Sequence, residues 1–145
     1  MSTSRKQARD TLVALLETAL VGDGPVKTVV GHKVSNLEGL TPLVAVLSAG
    51  TLRERVTFLA DKPTFRLDLQ VWVRQATGDD WTDAMAMDAL DAIEALIAGV
   101  VEDNRGNATW EILEYAGTTS VVEWPIGGVA YYMEYVPLAV KLVKS

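Results

Sequence analysis

The chain predicts a single α+β domain spanning residues 1–145, with a mixed, mostly antiparallel β-sheet and two main α-helices packed on it. Three observations carry this reading. Two segments, 4–21 and 81–101, repeat apolar residues at three- and four-residue spacing. Other segments alternate apolar and polar residues or run apolar for about five residues, as strands do. The order is helix, strands, helix, strands, within a length that suits one hydrophobic core.

The first helix opens near Ser4, a residue suited to capping, and carries Ala8, Leu12, Leu15, Ala19 and Leu20 on one stripe. Gly22 and the pair Gly24-Pro25 end it. Val26–Val30 reads as a short strand, and residues 31–41 as an irregular connection. Leu43–Leu47 is a strand buried on both faces, followed by a turn at Ser48-Ala49-Gly50 and a half-buried strand at 53–58. Asp61-Lys62-Pro63 breaks the pattern.

Thr64–Arg74 is the clearest strand. Phe65, Leu67, Leu69, Val71 and Val73 point to a core, while Arg66, Asp68, Gln70, Trp72 and Arg74 point to solvent or a partner. Asp79 and Asp80 supply N-cap groups for the helix that follows, whose apolar stripe is Ala86, Leu90, Ile93, Ile97 and Val100. A turn cluster at 102–109 follows. Segments 110–115 and 119–125 predict a hairpin about Ala116-Gly117-Thr118. Gly127-Gly128 turns the chain into a last strand at 129–143, where Pro137 predicts an edge or a bulge.

Composition narrows the function. There is no cysteine, so disulfide, zinc-thiolate and thiol-nucleophile chemistry are excluded. The net charge of −6 and scattered cations argue against DNA binding through phosphate contacts. No uninterrupted apolar run of about 20 residues occurs, and the opening MSTSRKQARD is polar, so a soluble, intracellular protein without a membrane partner is expected. The single histidine, His32, has no orienting partner or nucleophile near it in sequence, and no GxSxG, GxxxxGK[ST] or HExxH pattern occurs. An enzyme is therefore not expected, nor a catalytic residue, a cofactor or a metal. Asp79, Asp80 and Asp83 form an acidic cluster that reads first as helix capping and only second as a cation site. Trp72, Tyr131, Tyr132 and Tyr135 are the aromatic candidates for an interface, and Arg53 and Arg55 the cationic ones.

Five stretches also carry a resemblance: RKQARDTLVALLETAL, PLVAVLSAG, TFRLDLQVWV, WTDAMAMDALDAIEALIAGVVED and GGVAYYMEYVPLAVKLV. In pattern and order, over nearly the full length, the chain resembles the tail terminator (tail completion, minor tail protein U-like) proteins of long-tailed bacteriophages. The resemblance implies a structural virion protein, assembled in the host cytoplasm as a homohexameric ring at the head-proximal end of the tail. The ring ends polymerisation of the tail tube protein below it and offers a joining surface to a head-completion or connector protein above. DNA passes through the lumen without specific binding, and Asp79, Asp80 and Asp83 are candidates to border that lumen. Head–tail connector and neck proteins of similar size and element order are an alternative, and a small-molecule-binding α+β domain or a regulatory interaction domain a more distant one.

Overall fold

A computed structural model describes residues 3–55 and 61–142. In chain order the elements are α1 (Arg5–Leu20), β1 (Thr28–Val30), β2 (Leu43–Arg55), β3 (Asp61–Arg74), α2 (Asp83–Asp103), β4 (Ile112–Tyr115), β5 (Ser120–Ile126) and β6 (Val129–Lys141). The strands form one sheet in the order β1-β2-β3-β6-β4, with β5 also paired to β6. Only β1 and β2 run parallel. The α+β class, the mixed sheet and its two helices are as the sequence predicts.

Ser4 begins α1 with a reciprocal cap. Its hydroxyl accepts from the Gln7 backbone N–H at 3.1 Å, and its own N–H donates to the Gln7 side chain at 2.7 Å. The buried stripe is Ala8, Leu12, Leu16 and Leu20, in place of the expected path through Leu15 and Ala19. Leu15 and Leu16 are adjacent leucines, so periodicity alone cannot choose between them, and packing selects Leu16. A Cβ on Gly24 would lie 2.2 Å from the Leu20 carbonyl oxygen. Only glycine lets the chain fold back there, so that the Val26 N–H can donate to that same oxygen at 3.0 Å.

Where two strands and a turn are expected, β2 is one strand. Its pairing with β3 shifts register between Ser48 and Gly50, which marks a bulge that absorbs the turn-like residues without ending the ladder. Pro63 likewise does not break β3, which begins at Asp61. Segment 56–58 of the expected strand lies outside the described residues.

Strand β3 is paired along both edges, to β2 and to β6. Phe65, Leu67, Leu69, Val71 and Val73 are buried beneath both helices, with Val44 and Val46 from β2 and Val136, Leu138 and Val140 from β6. From α2 come Ala86, Leu90, Ile93, Ile97 and Val100, the predicted stripe, with Val101.

The expected β4–β5 hairpin does not form. Both strands pair with the same edge of β6, β4 with Leu138–Lys141 and β5 with Val129–Tyr135. The turn belongs to β5–β6, where Gly127 and Gly128 have φ of 58° and 80°. Positive φ at both central residues is the two-residue turn whose twist suits a hairpin. Pro137 is consequently in an interior strand, correcting the edge reading. Its carbonyl accepts from the Ala116 N–H at 2.9 Å, so it points toward the β4/β5 side. The nitrogen of the same residue points that way too, into the break between β4 and β5.

Leu67→Ala should cost about 2–5 kcal/mol, since Leu67 is fully buried between β2 and β6. Ala19→Lys, on the exposed side of α1, should stay within about 0.5 kcal/mol. Urea denaturation with an unchanged slope checks both.

Candidate subunit interface

Paired residues share a face of the sheet, so the register sorts every candidate. Trp72 and Tyr131 lie on the face away from the helices. They are not surface aromatics. Trp72 is 6% exposed and Tyr131 2%, and their rings meet edge to face at 6.1 Å and 88°. The connection between β1 and β2 crosses above them and seats Leu37, so that Leu37, Leu43, Ala45, Trp72 and Tyr131 form a second, smaller core. The Trp72 indole N–H donates to the Gln70 side chain at 3.3 Å. A charged–polar reading of this face of β3 therefore fails at its Trp72 end. Alternation signals two faces but not that a loop will cover the second.

Tyr135 is on the same face and donates its hydroxyl to the Asp68 carboxylate, which also lies 3.4 Å from Arg66. The bond to Asp68, then partial burial, raises the phenol above its ordinary range. Tyr132 points to the helix side, and its hydroxyl donates to Asp83 at 3.4 Å. Loss of solvent and the nearby Asp83 and Glu123 charges raise this phenol as well.

Asp83 opens α2 and also accepts from the Ala76 N–H at 3.3 Å. The N-cap is Thr82, whose hydroxyl accepts from the Met85 N–H at 3.2 Å, and not Asp79 or Asp80. Those two occupy an exposed turn closed by the bridge between Gly78 and Trp81, with the Trp81 indole donating to the Arg74 carbonyl at 2.6 Å. Among the described residues, no group of three or more His, Asp or Glu is arranged to hold a metal ion. His32 is exposed, its Nδ1 3.0 Å from the Lys33 carbonyl oxygen. No helix of the described residues is long and apolar enough to cross a membrane.

Arg53 and Arg55 are on the exposed distal part of β2, facing the helix side. Leu52, opposite Thr64, faces the other way and is 59% exposed. At the far side of the sheet β5 is exposed nearly throughout, with Val122 at 40% and Trp124 at 52%. Beside Trp124 lies a cavity of about 300 Å³, walled by Trp72, Ile126, Met133 and Val34 and rimmed by Lys33 and Gln70.

The charges are divided between these sides. Residues 3–55, which build α1, β1 and β2, hold seven Lys or Arg and five Asp or Glu, a net of +2. Residues 83–134, which build α2, β4, β5 and the start of β6, hold one Arg and ten Asp or Glu, a net of −9. Helix α2 carries six of those acids and no Lys or Arg.

One functional group escaped the sequence reading. Glu134 is buried on the helix face of β6, in phase with Val136, Leu138 and Val140. It faces α2 across a depression that also holds Leu90, Asp91, Glu94 and Thr119. Burial raises its carboxyl above the usual range, the bond to Thr119 opposes this, and the Glu94 and Asp91 charges add to the rise. A charged residue in core phase is the signal that reveals it.

A scan against known protein families gives no match, and no curated protein matches the chain.

A raised carboxyl means that the native state holds a proton more tightly than the unfolded chain. Its stabilising share is complete below the ordinary glutamate range and is lost as pH rises through the folded value. Glu134→Gln should thus melt a few degrees above the parent at pH 7, the gap closing as pH falls toward 4. Thermal unfolding across that pH range checks the sign.

Proposed function

We propose that the chain is a structural subunit of the tail-terminator kind. Copies close head to tail into a hexameric ring at the head-proximal end of a phage tail. The ring stops growth of the tube below, presents a joining surface to the head-completion or connector protein above, and lets DNA pass. It works without catalysis, cofactor or metal. The observation that carries this reading is the pair of unlike sides: an exposed, net-basic side at α1 and distal β2, and an exposed, acidic side at α2, β4 and β5. A ring closed by rotation needs two different surfaces that complement each other, one on each flank of the subunit. Opposite charge favours the correct pairing and suppresses like with like.

The resemblance in element pattern supplies the phage setting, and neck proteins share that support. Electron microscopy of the protein mixed with its tail tube protein separates the two. A terminator caps one tube end with a six-fold ring and halts elongation. A neck protein leaves tube length unchanged. The small-molecule reading has the cavity beside Trp124 in its favour, and a compound that binds there at the expense of assembly would favour it over the ring.

Exchanging Arg53 and Arg55 for Glu should weaken association of copies and capping of tubes, with monomer folding intact, since both residues are exposed. Native mass spectrometry and tail-length measurement read this out. Free duplex DNA should show no sub-micromolar affinity at about 150 mM salt, because few phosphates can be neutralised by so divided a set of cations. Fluorescence anisotropy is the measurement.

A further inference from the structure

We infer that the distal part of β2 in one copy, Gly50–Arg55, lies along the open edge of β5 in the next, so that the sheet continues from copy to copy. The inference rests on the ring reading only for the number of copies, and the contact itself stands on strand chemistry.

Both edges are open. Strand β1 covers β2 only at Leu43–Ala45, and among the described residues no strand pairs with β2 beyond that on the same side. Helix α1 meets this stretch through side chains, Arg9 to Ser48 at 2.8 Å and Arg5 to Thr51 at 3.0 Å. Strand β5 pairs with β6 along one edge and, among the described residues, with no strand along the other. An uncovered edge offers its N–H and C=O groups to another strand. Proteins that avoid such pairing place Lys, a bulge or a cover there. The seven residues of β5 contain no Lys or Arg, and Pro125 falls near the end next to the turn.

The faces agree as well. Side-by-side strands keep each side chain on its own face. Away from the helices, Leu52 would meet Val122 and Trp124, all three among the exposed large hydrophobic residues. On the helix face, Arg53 and Arg55 would meet Glu123, which sits with Asp83 beside Tyr132. The apolar match and the charge match thus occur in one alignment, each on its proper side.

The absence of native cysteine makes the test direct. Leu52→Cys and Trp124→Cys are prepared separately, mixed with tube protein present, and oxidised. Adjacent strands bring side chains on one face within disulfide reach. A disulfide-linked Leu52→Cys/Trp124→Cys heterodimer is expected as the dominant product on a non-reducing gel. Thr51→Cys, on the opposite face, should give little with the same partner. Unchanged melting of each variant confirms folding. Three results would overturn the contact: linkage of Trp124→Cys only to itself, equal linkage by Thr51→Cys, or six-fold rings that form without linkage. The last would leave the ring reading intact. Linked heterodimers found within open fibres of more than six copies would keep this contact and overturn the ring instead. Failure of any copies to associate would overturn both.

Discussion

Strand β3 is the constraint on which the other elements depend. It is hydrogen-bonded on both edges, and alternate side chains send five apolar residues into the main core. A one-residue slip of its register would turn Phe65, Leu67, Leu69, Val71 and Val73 out of that core. Both helices pack on this side of the sheet, α2 against β3 and α1 against β1 and β2, and the smaller core forms behind the Trp72 end of β3. Around this centre, β1 and β2 form one flank of the sheet and β4 and β5 the other.

Those flanks carry the exposed apolar and charged side chains. Interior strands must satisfy two neighbours, so their chemistry is spent on packing. Outer strands satisfy one neighbour and leave half of their backbone groups to water or to another chain. The outer strands also carry the exposed Leu52, Val122 and Trp124. Large apolar side chains beside open backbone on opposite flanks support the proposed assembly role. The cavity beside Trp124 has an apolar wall with Lys33 and Gln70 at its rim.

Much of this was legible in the sequence. Period two over 64–74 and the 3.6-residue period over 81–101 identified β3 and α2, and with them the core. Local signals misled where a longer-range partner decides the outcome. Ser48-Ala49-Gly50 looks like a turn, but the length of β3 beside it holds the strand together through a bulge. Thr119–Pro125 looks like the partner of the segment before it, but β6 is long enough to pair with both. Trp72 looks exposed because no sequence pattern announces that Leu37 will be laid over it. For the same reason Trp72 and Tyr131 are buried within the subunit, whereas Leu52 and Trp124 are exposed. Arg53 and Arg55 are exposed as expected, since strand alternation places charged residues correctly wherever nothing covers the strand.

The division of charge along the sheet gives each free copy a permanent electric dipole lying roughly across its strands. In the proposed assembly, two copies approaching flank to flank would turn one another before they touch, and the productive orientation would be sampled more often than chance allows. Such steering reaches only about 8 Å through a solution of physiological ionic strength and several times farther in dilute salt. In the proposed contact the speed of encounter is thus set by the surrounding ions, while its lifetime, once water is expelled from Leu52 and Trp124, is set by apolar surface that salt does not screen.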